Sequence, residues 1–277
     1  MEWSWLHSLF YGLISGFAEF LPVSAEAHSI LFQRLTGVGN EILGFRMICH
    51  LSILLALLLS CRPQLEKLRR EKRIASIPAR RRKRQPDVTS MLDIRVLKTA
   101  LIPTVIGFAG YLYFANQGQR LWILSIFMVI NGILLFIPQI KRTGNKESQT
   151  MSALDSILFG VGSCLGVIPG VSRLGVGSAF LQLRGADRRY TLEMCLLLSV
   201  PSLVILIGFD LYLIFVTAGA MAFSLFFLYI LAAAAAFAGA YLGIMLMRFL
   251  AVNVGFSDCA YYCWGAALLT FILYLTI

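Results

Sequence analysis

Residues 19–29 read "EFLPVSAEAHS" and directly follow an apolar run. The stretch places two carboxylates and an imidazole where a hydrophobic sequence suited to a membrane would be expected. Pro22 and the polar side chains interrupt the segment 3–34, which disfavours one long helix. We predict two short halves that form a re-entrant hairpin, with the irregular backbone buried in protein or facing a wet cavity.

The composition sets the environment of this hairpin. The 277 residues are 58% hydrophobic and 14% charged, with a mean hydropathy of +0.79, which is too apolar for an ordinary soluble domain. We therefore predict a single all-α polytopic membrane domain, 1–277, without a signal peptide, because the start lacks basic residues and a small-residue cleavage site. The predicted transmembrane helices, each about 20 residues long, are 41–60, 97–115, 120–138, 190–208, 220–246 and 256–276.

The positive charge is concentrated in one segment. The net charge is +10, and 13 of the 24 Lys and Arg lie between Arg62 and Lys98, between two apolar spans. This position favours a cytoplasmic loop, 61–96, beside anionic lipid, over a nucleic-acid site. A partner-binding role for the loop stays open. A cytoplasmic loop here places residues 35–40 outside and the basic stretch 141–146 inside.

A second broken segment resembles the first. Residues 154–183 contain "GVGSCLGVIPGVSRLGVGS", two short apolar pieces interrupted at Pro169, Gly170, Ser172 and Arg173 and flanked by basic residues. One hairpin is predicted to enter from outside and the other from inside. This pattern is typical of an inverted repeat with a binding site near the membrane midplane. We assign 1–60 to the first repeat, and 97–277 to the remaining helices with the second hairpin.

The arginine in the second break indicates the ligand. An arginine within the membrane costs about 2.5–3.5 kcal/mol, so Arg173 should be paired or should face a polar cavity. Its planar guanidinium suits phosphate oxygens, and the turn containing Gly170 and Ser172 can direct N–H groups and a hydroxyl to the same place. Helix N-termini after each break favour an anion further.

The first break supplies acid/base chemistry. Glu19 and His28 are a candidate acid/base pair, and Ser24 is either a nucleophile towards phosphorus or a ligand of an oxygen. Glu19 is alternatively a ligand of a divalent metal that bridges phosphate oxygens. Each residue also has a structural interpretation: an ion pair between Glu19 and Arg173, a helix cap at Ser24, and an interior histidine at position 28.

Two motifs resemble the signatures of the bacterial undecaprenyl pyrophosphate phosphatase family. "EFLPVSAEAH" is similar to E-x-x-x-E-F-L-P-(V or I)-S-S-T-x-H, and "PGVSRLGVG" is similar to P-G-x-S-R-S-G-x-(S or T). "RRYTLEMCLLLSVP" keeps the family's spacing at Arg188, Glu193 and Pro201, and "FRMICHLSILLAL" at 45–57 matches more loosely. The resemblance covers most of the chain.

The resemblance implies a multi-pass enzyme of the bacterial plasma membrane that removes the terminal phosphate of the C55 polyprenyl pyrophosphate carrier of cell-wall synthesis. It also implies a divalent cation, Mg²⁺ or Ca²⁺, and a link to bacitracin resistance. By position, Glu19 would be the acid/base or metal-binding carboxylate and His28 its catalytic partner. Ser172 and Arg173 would form the pyrophosphate clamp.

The chain departs from the family pattern at several positions. The first glutamate of the motif is replaced by Ser15, the second serine by Ala25, and the threonine by Glu26. Glu26 either restores a lost carboxylate as a metal ligand or lies at the hairpin surface. Further departures are Leu174 and Gly177 in the second motif and Arg46, where the family has an acidic residue. Because alanine can neither attack phosphorus nor hold an oxygen through its side chain, Ser24 is the remaining candidate hydroxyl in the first motif.

Two functions fit these residues. The first is a polyprenyl pyrophosphate phosphatase with an altered site, which we favour because Glu19, His28, Ser172 and Arg173 are retained. The alternative is a non-hydrolytic binder or transporter of polyprenyl phosphates. A receptor or scaffold without a lipid phosphate is disfavoured by the cost of Arg173 in the membrane. The expected partners are the lipid and the bilayer rather than nucleic acid, and a homodimer remains open.

Overall fold

The computed structural model describes residues 2–38, 42–111, 113, 120–140, 144–216 and 223–276. This part of the chain contains eleven α-helices, which confirms the predicted all-α class. The helices are α1 Trp5–Glu19, α2 Ala25–Thr36, α3 Ile42–Ser60, α4 Arg62–Ser76, α5 Val88–Phe108, α6 Leu121–Phe136, α7 Ala153–Cys164, α8 Arg173–Leu183, α9 Arg188–Val216, α10 Phe226–Asn253 and α11 Cys259–Thr276.

Five helices are long and apolar enough to cross a membrane: α3, α6 together with the 3-10 turn that extends it to Ile140, α9, α10 and α11. The multi-pass prediction is confirmed, and these helices correspond to five of the six predicted spans. The sixth, 97–115, overlaps α5, which begins earlier and carries Asp93, Arg95 and Lys98 in its first half. Some of the predictions of membrane side or of helix concern residues that the structure does not describe. These are positions 39–41, 112, 114–115, 141–143 and 220–222.

Each predicted hairpin consists of two short helices separated by a break. The first pair, α1 and α2, has 15 and 12 residues, and the second pair, α7 and α8, has 12 and 11. At 1.5 Å of rise per residue these helices are roughly 17–23 Å long, shorter than the hydrocarbon core of about 30 Å. Each is therefore too short to cross the bilayer alone, as a re-entrant arrangement requires.

The two hairpins are capped in the same way. Ser4 and Ser152 each form a capping box at the start of the first helix, and Ser24 and Ser172 each cap the second helix. The same number of positions separates the two caps in both hairpins. This equivalence supports the predicted internal repeat.

Small residues allow α1 to lie directly against α10. A Cβ atom added to Gly16 would lie 2.1 Å from the carbonyl oxygen of Ala236, and one added to Gly239 would lie 2.5 Å from that of Leu13. Such close contact of backbones is typical of helix pairs in membranes. The first hairpin is thus fixed to a long apolar helix.

The basic segment differs from the predicted loop, since much of it forms α4. Glu71, which is 2% exposed, accepts hydrogen bonds from Arg84 Nη2 at 2.6 Å and from the N–H of Asp87 at 3.0 Å. The bond from Arg84 holds the pKa of Glu71 at about 2, well below its usual range. Leu65 and Leu68 pack against the core. Two leucines and one shielded carboxylate therefore order a stretch whose overall charge indicated only solvation.

Candidate active site

The breaks of the two hairpins contact each other. The N–H of Gly170 donates to Ser24 Oγ at 3.0 Å, and Ser172 Oγ donates to the carbonyl oxygen of Leu21 at 3.1 Å. Two segments distant in sequence are therefore joined by two hydrogen bonds, both donated by the second break to the first. This contact agrees with the predicted convergence of the two motifs.

Asn131 of α6 links both breaks. Its side chain is fully buried, accepts from the N–H of Ser172 at 2.8 Å, and donates to the carbonyl oxygen of Pro22 at 3.2 Å. These bonds satisfy backbone groups that the broken helices leave unpaired. Asn131 was not predicted, although a buried amide in an apolar span was the available signal.

Gly170 has a backbone conformation that favours glycine. Its φ is +98°, and an added Cβ would lie 2.7 Å from the Cβ of Phe127. Another residue here would be both strained and crowded. Gly170 therefore shapes the turn and directs its N–H to Ser24, while its own atoms do not line the cavity described next.

A cavity lies beside the joined breaks. It contains about 730 Å³ of space free of atoms, including open solvent at its mouth. Five of the predicted site residues line it: Glu19, Ser24, Glu26, Ser172 and Arg173. The geometry thus brings most of the predicted set together, and the roles of these residues stay predictions.

Glu19 and Arg173 form an ion pair across the cavity. Arg173 Nη2 donates to Glu19 Oε1, and the two side chains are 13% and 8% exposed. This contact corresponds to the structural interpretation of both residues. A partly buried arginine whose counterion is a carboxylate can also exchange it for a phosphate.

Two helices begin at the cavity. Ser24 Oγ caps α2 by accepting from the N–H of Ala27, and Ser172 Oγ caps α8 by accepting from the N–H of Gly175 at 3.0 Å. The first N–H groups of an α-helix have no partner within the helix and carry partial positive charge. The cavity is therefore suited to an anion at two places.

His28 lies away from the cavity. Its Nδ1–H donates to the carbonyl oxygen of Ser24 at 2.7 Å, and its Nε2 accepts from Tyr262 Oη at 2.6 Å. The two rings are stacked, with centroids 5.8 Å apart. This geometry corresponds to the interior histidine interpretation, and a catalytic role for His28 stays a prediction.

A second histidine faces the cavity instead. His50 of α3 donates from Nδ1 to Asp210 Oδ2 at 2.6 Å, and Arg46 Nε donates to Asp210 Oδ1 at 2.7 Å. His50 and Arg46 line the cavity, while Asp210 is fully buried behind them. These three residues were missed as a site, although ionisable residues inside apolar spans mark functional positions.

The donors for a divalent metal are few. Of the two carboxylates that line the cavity, Glu19 is paired with Arg173, and Glu26 has no ion pair with a described residue. Both oxygens of Asp210 are bonded to cationic or N–H donors. In the part of the chain that the structure describes, no three His, Cys, Asp or Glu side chains are grouped to hold a metal. Before a phosphate is bound, the predicted metal ligands therefore offer one carboxylate without an ion pair, that of Glu26, to a divalent cation.

The fold and site define a class of protein: a multi-pass helical membrane protein with two broken hairpins that meet at a cavity suited to an anion. The chain belongs to the family described as "Bacitracin resistance protein BacA", which it matches over residues 8–269. The family predicted from the two motifs is thereby confirmed.

Several named proteins are similar to the chain along most of its length. "Undecaprenyl-diphosphatase 1" of Shouchella clausii is 28% identical over 275 residues, covering 97% of this chain and 96% of that protein. "Undecaprenyl-diphosphatase" of Methanobrevibacter smithii is 25% identical over 96% of both chains. That of Rhodopseudomonas palustris (strain BisB18) is 30% identical over 75% of both.

Proposed function

We propose that this protein removes the terminal phosphate of undecaprenyl pyrophosphate and leaves the monophosphate lipid carrier. The observation that carries the proposal is the meeting of the two hairpin breaks around Arg173, at a cavity where two helices begin. The names of the similar proteins favour hydrolysis over the alternative of a non-hydrolytic binder or transporter.

Arg173 binds the terminal phosphate. The guanidinium exchanges the carboxylate of Glu19 for phosphate oxygens, which its planar fork matches in geometry. The N-terminal N–H groups of α2 and α8 bind further oxygens. Glu19 holds Arg173 in place before the lipid arrives and remains a candidate acid/base.

His50 is the proton acceptor. Because the carboxylate of Asp210 accepts from Nδ1–H, the neutral imidazole presents the lone pair of Nε2. A water deprotonated by Nε2 adds to the terminal phosphorus, and the bond from that phosphorus to the bridging oxygen breaks. The products are inorganic phosphate and polyprenyl monophosphate.

Ser24 acts as a connector rather than the nucleophile. Its oxygen accepts from the N–H groups of Ala27 and Gly170, which occupies both of its lone pairs. An oxygen in this state is a weak attacking group. Water is therefore the nucleophile in this proposal.

The experiment that tests the proposal is phosphate release by the purified protein from C55 pyrophosphate. Release that Arg173→Ala abolishes supports the assignment. A protein that releases no phosphate, yet moves polyprenyl phosphate between leaflets of liposomes, would instead be a transporter.

The membrane setting of the proposal is the plasma membrane, with residues 62–96 on the cytoplasmic side. The charge bias of the sequence supports this orientation. A homodimer also stays a proposal, and the mass of the protein in detergent, measured by light scattering, tests it.

A further inference from the structure

Three buried polar atoms of residues that line the cavity have no hydrogen-bond partner among the described residues. They are Arg46 Nη2, Tyr111 Oη and Ser15 Oγ. Tyr111 and Ser15 are 5% and 8% exposed. All three atoms can donate a hydrogen bond, so one ligand rich in acceptor oxygens would satisfy them together.

Arg46 is held in position for such a ligand. Its Nε donates to Asp210 Oδ1 at 2.7 Å, which leaves Nη2 without a bond. Neighbouring Phe45 is stacked on Trp3, with ring centroids 3.7 Å apart. The guanidinium is therefore held by Asp210 through Nε and keeps an unsatisfied donor at Nη2.

The same cavity has a poor set of ligands for a divalent cation. Glu19 becomes available only when a phosphate takes its place on Arg173, and Asp210 is bonded to Arg46 and His50, so a metal at Asp210 would displace existing partners. A metal near Arg46 would also be repelled by its charge. Glu26 is the one carboxylate of the cavity wall without an ion pair among the described residues.

The charges of the chain at its departures from the family pattern point the same way. Relative to the family motif that the chain resembles, Ser15 stands at the position of a glutamate, Arg46 at that of an acidic residue and Glu26 at that of a threonine. Together the three departures add two positive charges, which is the charge of one divalent cation. All three residues line the cavity.

We propose that Arg46, with Tyr111 and Ser15, binds the lipid-linked phosphate of the pyrophosphate and takes the place of a divalent cation. The inference rests on the proposed function. Arg173 holds the terminal phosphate, and Arg46 stabilises the negative charge that develops on the bridging oxygen as its bond to the terminal phosphorus breaks. Hydrolysis then needs no added metal.

The test compares the full-length protein in excess EDTA with the same protein in Mg²⁺ or Ca²⁺. Two quantities are measured: binding of farnesyl pyrophosphate by calorimetry, and phosphate release from C55 pyrophosphate. We expect both to agree within about twofold, since one fixed arginine supplies the charge in either condition. A loss of tenfold or more in EDTA that metal restores overturns the inference and leaves the proposed function intact.

Absence of both binding and release in every condition overturns the proposed function, and this inference with it.

Among variants, Tyr111→Phe should weaken binding in EDTA by about tenfold, as expected for a lost bond to a charged group. Tyr113→Phe, at an exposed position nearby, should leave binding unchanged. Equal binding by both variants contradicts the role of Tyr111.

The converse variant combines Ser15→Glu with Arg46→Glu. We expect it to require Mg²⁺ or Ca²⁺ for binding, because it removes the built-in cation and supplies carboxylates in its place. A folded double variant that binds farnesyl pyrophosphate in EDTA as tightly as the unaltered protein does contradicts the role of Arg46. If the double variant does not fold, the comparison on the unaltered protein still decides.

Discussion

Arg173 donates a hydrogen bond to the carboxylate of Glu19, which lies 154 positions earlier in the chain. The pair joins the start of α8 to the end of α1, and both side chains are largely buried. Removing one member of a buried pair leaves an uncompensated charge. Glu19 therefore keeps Arg173 compatible with the membrane until a phosphate replaces it.

The shape of the guanidinium should matter as well as its charge. Arg173→Lys keeps the charge but loses the two-pronged contact with phosphate oxygens, so binding of polyprenyl pyrophosphate should weaken by at least about tenfold. Arg69→Lys, at an exposed position on α4, is the matched control and should leave binding unchanged. Equal binding by both variants would show that Arg173 is not the clamp.

The two interior histidines should behave differently. His50→Gln should lower kcat by about 10²–10⁴-fold, since it removes the proton acceptor. His28→Gln should have a smaller effect, because His28 does not line the cavity and its bonds are made to the backbone carbonyl oxygen of Ser24 and to Tyr262. Phosphate release by the two purified variants shows whether His50 or His28 is the proton acceptor. A larger loss for His28→Gln would favour the role that the sequence motif predicted.

Ser24 should prove structural. Ser24→Ala removes a helix cap, which costs about 1 kcal/mol, and also the bond from Gly170, so thermal stability and turnover should fall together. No phosphoserine should be trapped by acid quenching during turnover. Detection of phosphorylated Ser24 by mass spectrometry would contradict water attack.

Ala25→Ser adds a hydroxyl at the cavity, where the motif that the chain resembles has its second serine. The rate of phosphate release should increase if the absence of this hydroxyl limits it.

The contact between α1 and α10 should not accept a larger side chain. Gly16→Val should destabilise the protein by about 1–3 kcal/mol or more, because the added atoms would overlap the backbone at Ala236. Gly208→Val is the control, since nothing lies within 4 Å of a Cβ added there. Thermal unfolding in detergent measures both. Equal melting temperatures would contradict the tight packing of the two helices.

The orientation predicts which positions are accessible from outside the cell. In a protein with its six cysteines replaced, Asn40→Cys should react with an impermeant reagent and Ser76→Cys should not. Ser76 ends α4, whereas Asn40 lies outside the described residues. The reverse labelling pattern would invert the membrane orientation.

Much of the fold could be predicted from local sequence. Runs of apolar residues located five spans, and the proline and glycine breaks located both hairpins. The helix α4 was missed, since its stability depends on Glu71 and on leucines that pack against other helices. Burial of that kind depends on tertiary contacts that a charge pattern does not contain.

The site was predicted in part for the same reason. Motif spacing identified Glu19, Ser24 and Arg173, which meet at the cavity. Asp210 and Asn131 come from other helices, and only the three-dimensional arrangement brings them to His50 and to the hairpin breaks. A sequence pattern cannot specify such partners, although polar residues in apolar helices indicate that partners exist.

The central claim is that the meeting hairpin breaks form one site that hydrolyses the terminal phosphate. The most direct test follows C55 pyrophosphate by phosphorus NMR in the presence of the purified protein. We predict that both pyrophosphate signals disappear while inorganic phosphate and polyprenyl monophosphate appear in equal amounts, and that Arg173→Ala prevents the change. Release of intact pyrophosphate, or unchanged signals with the active-site residues intact, would contradict the claim.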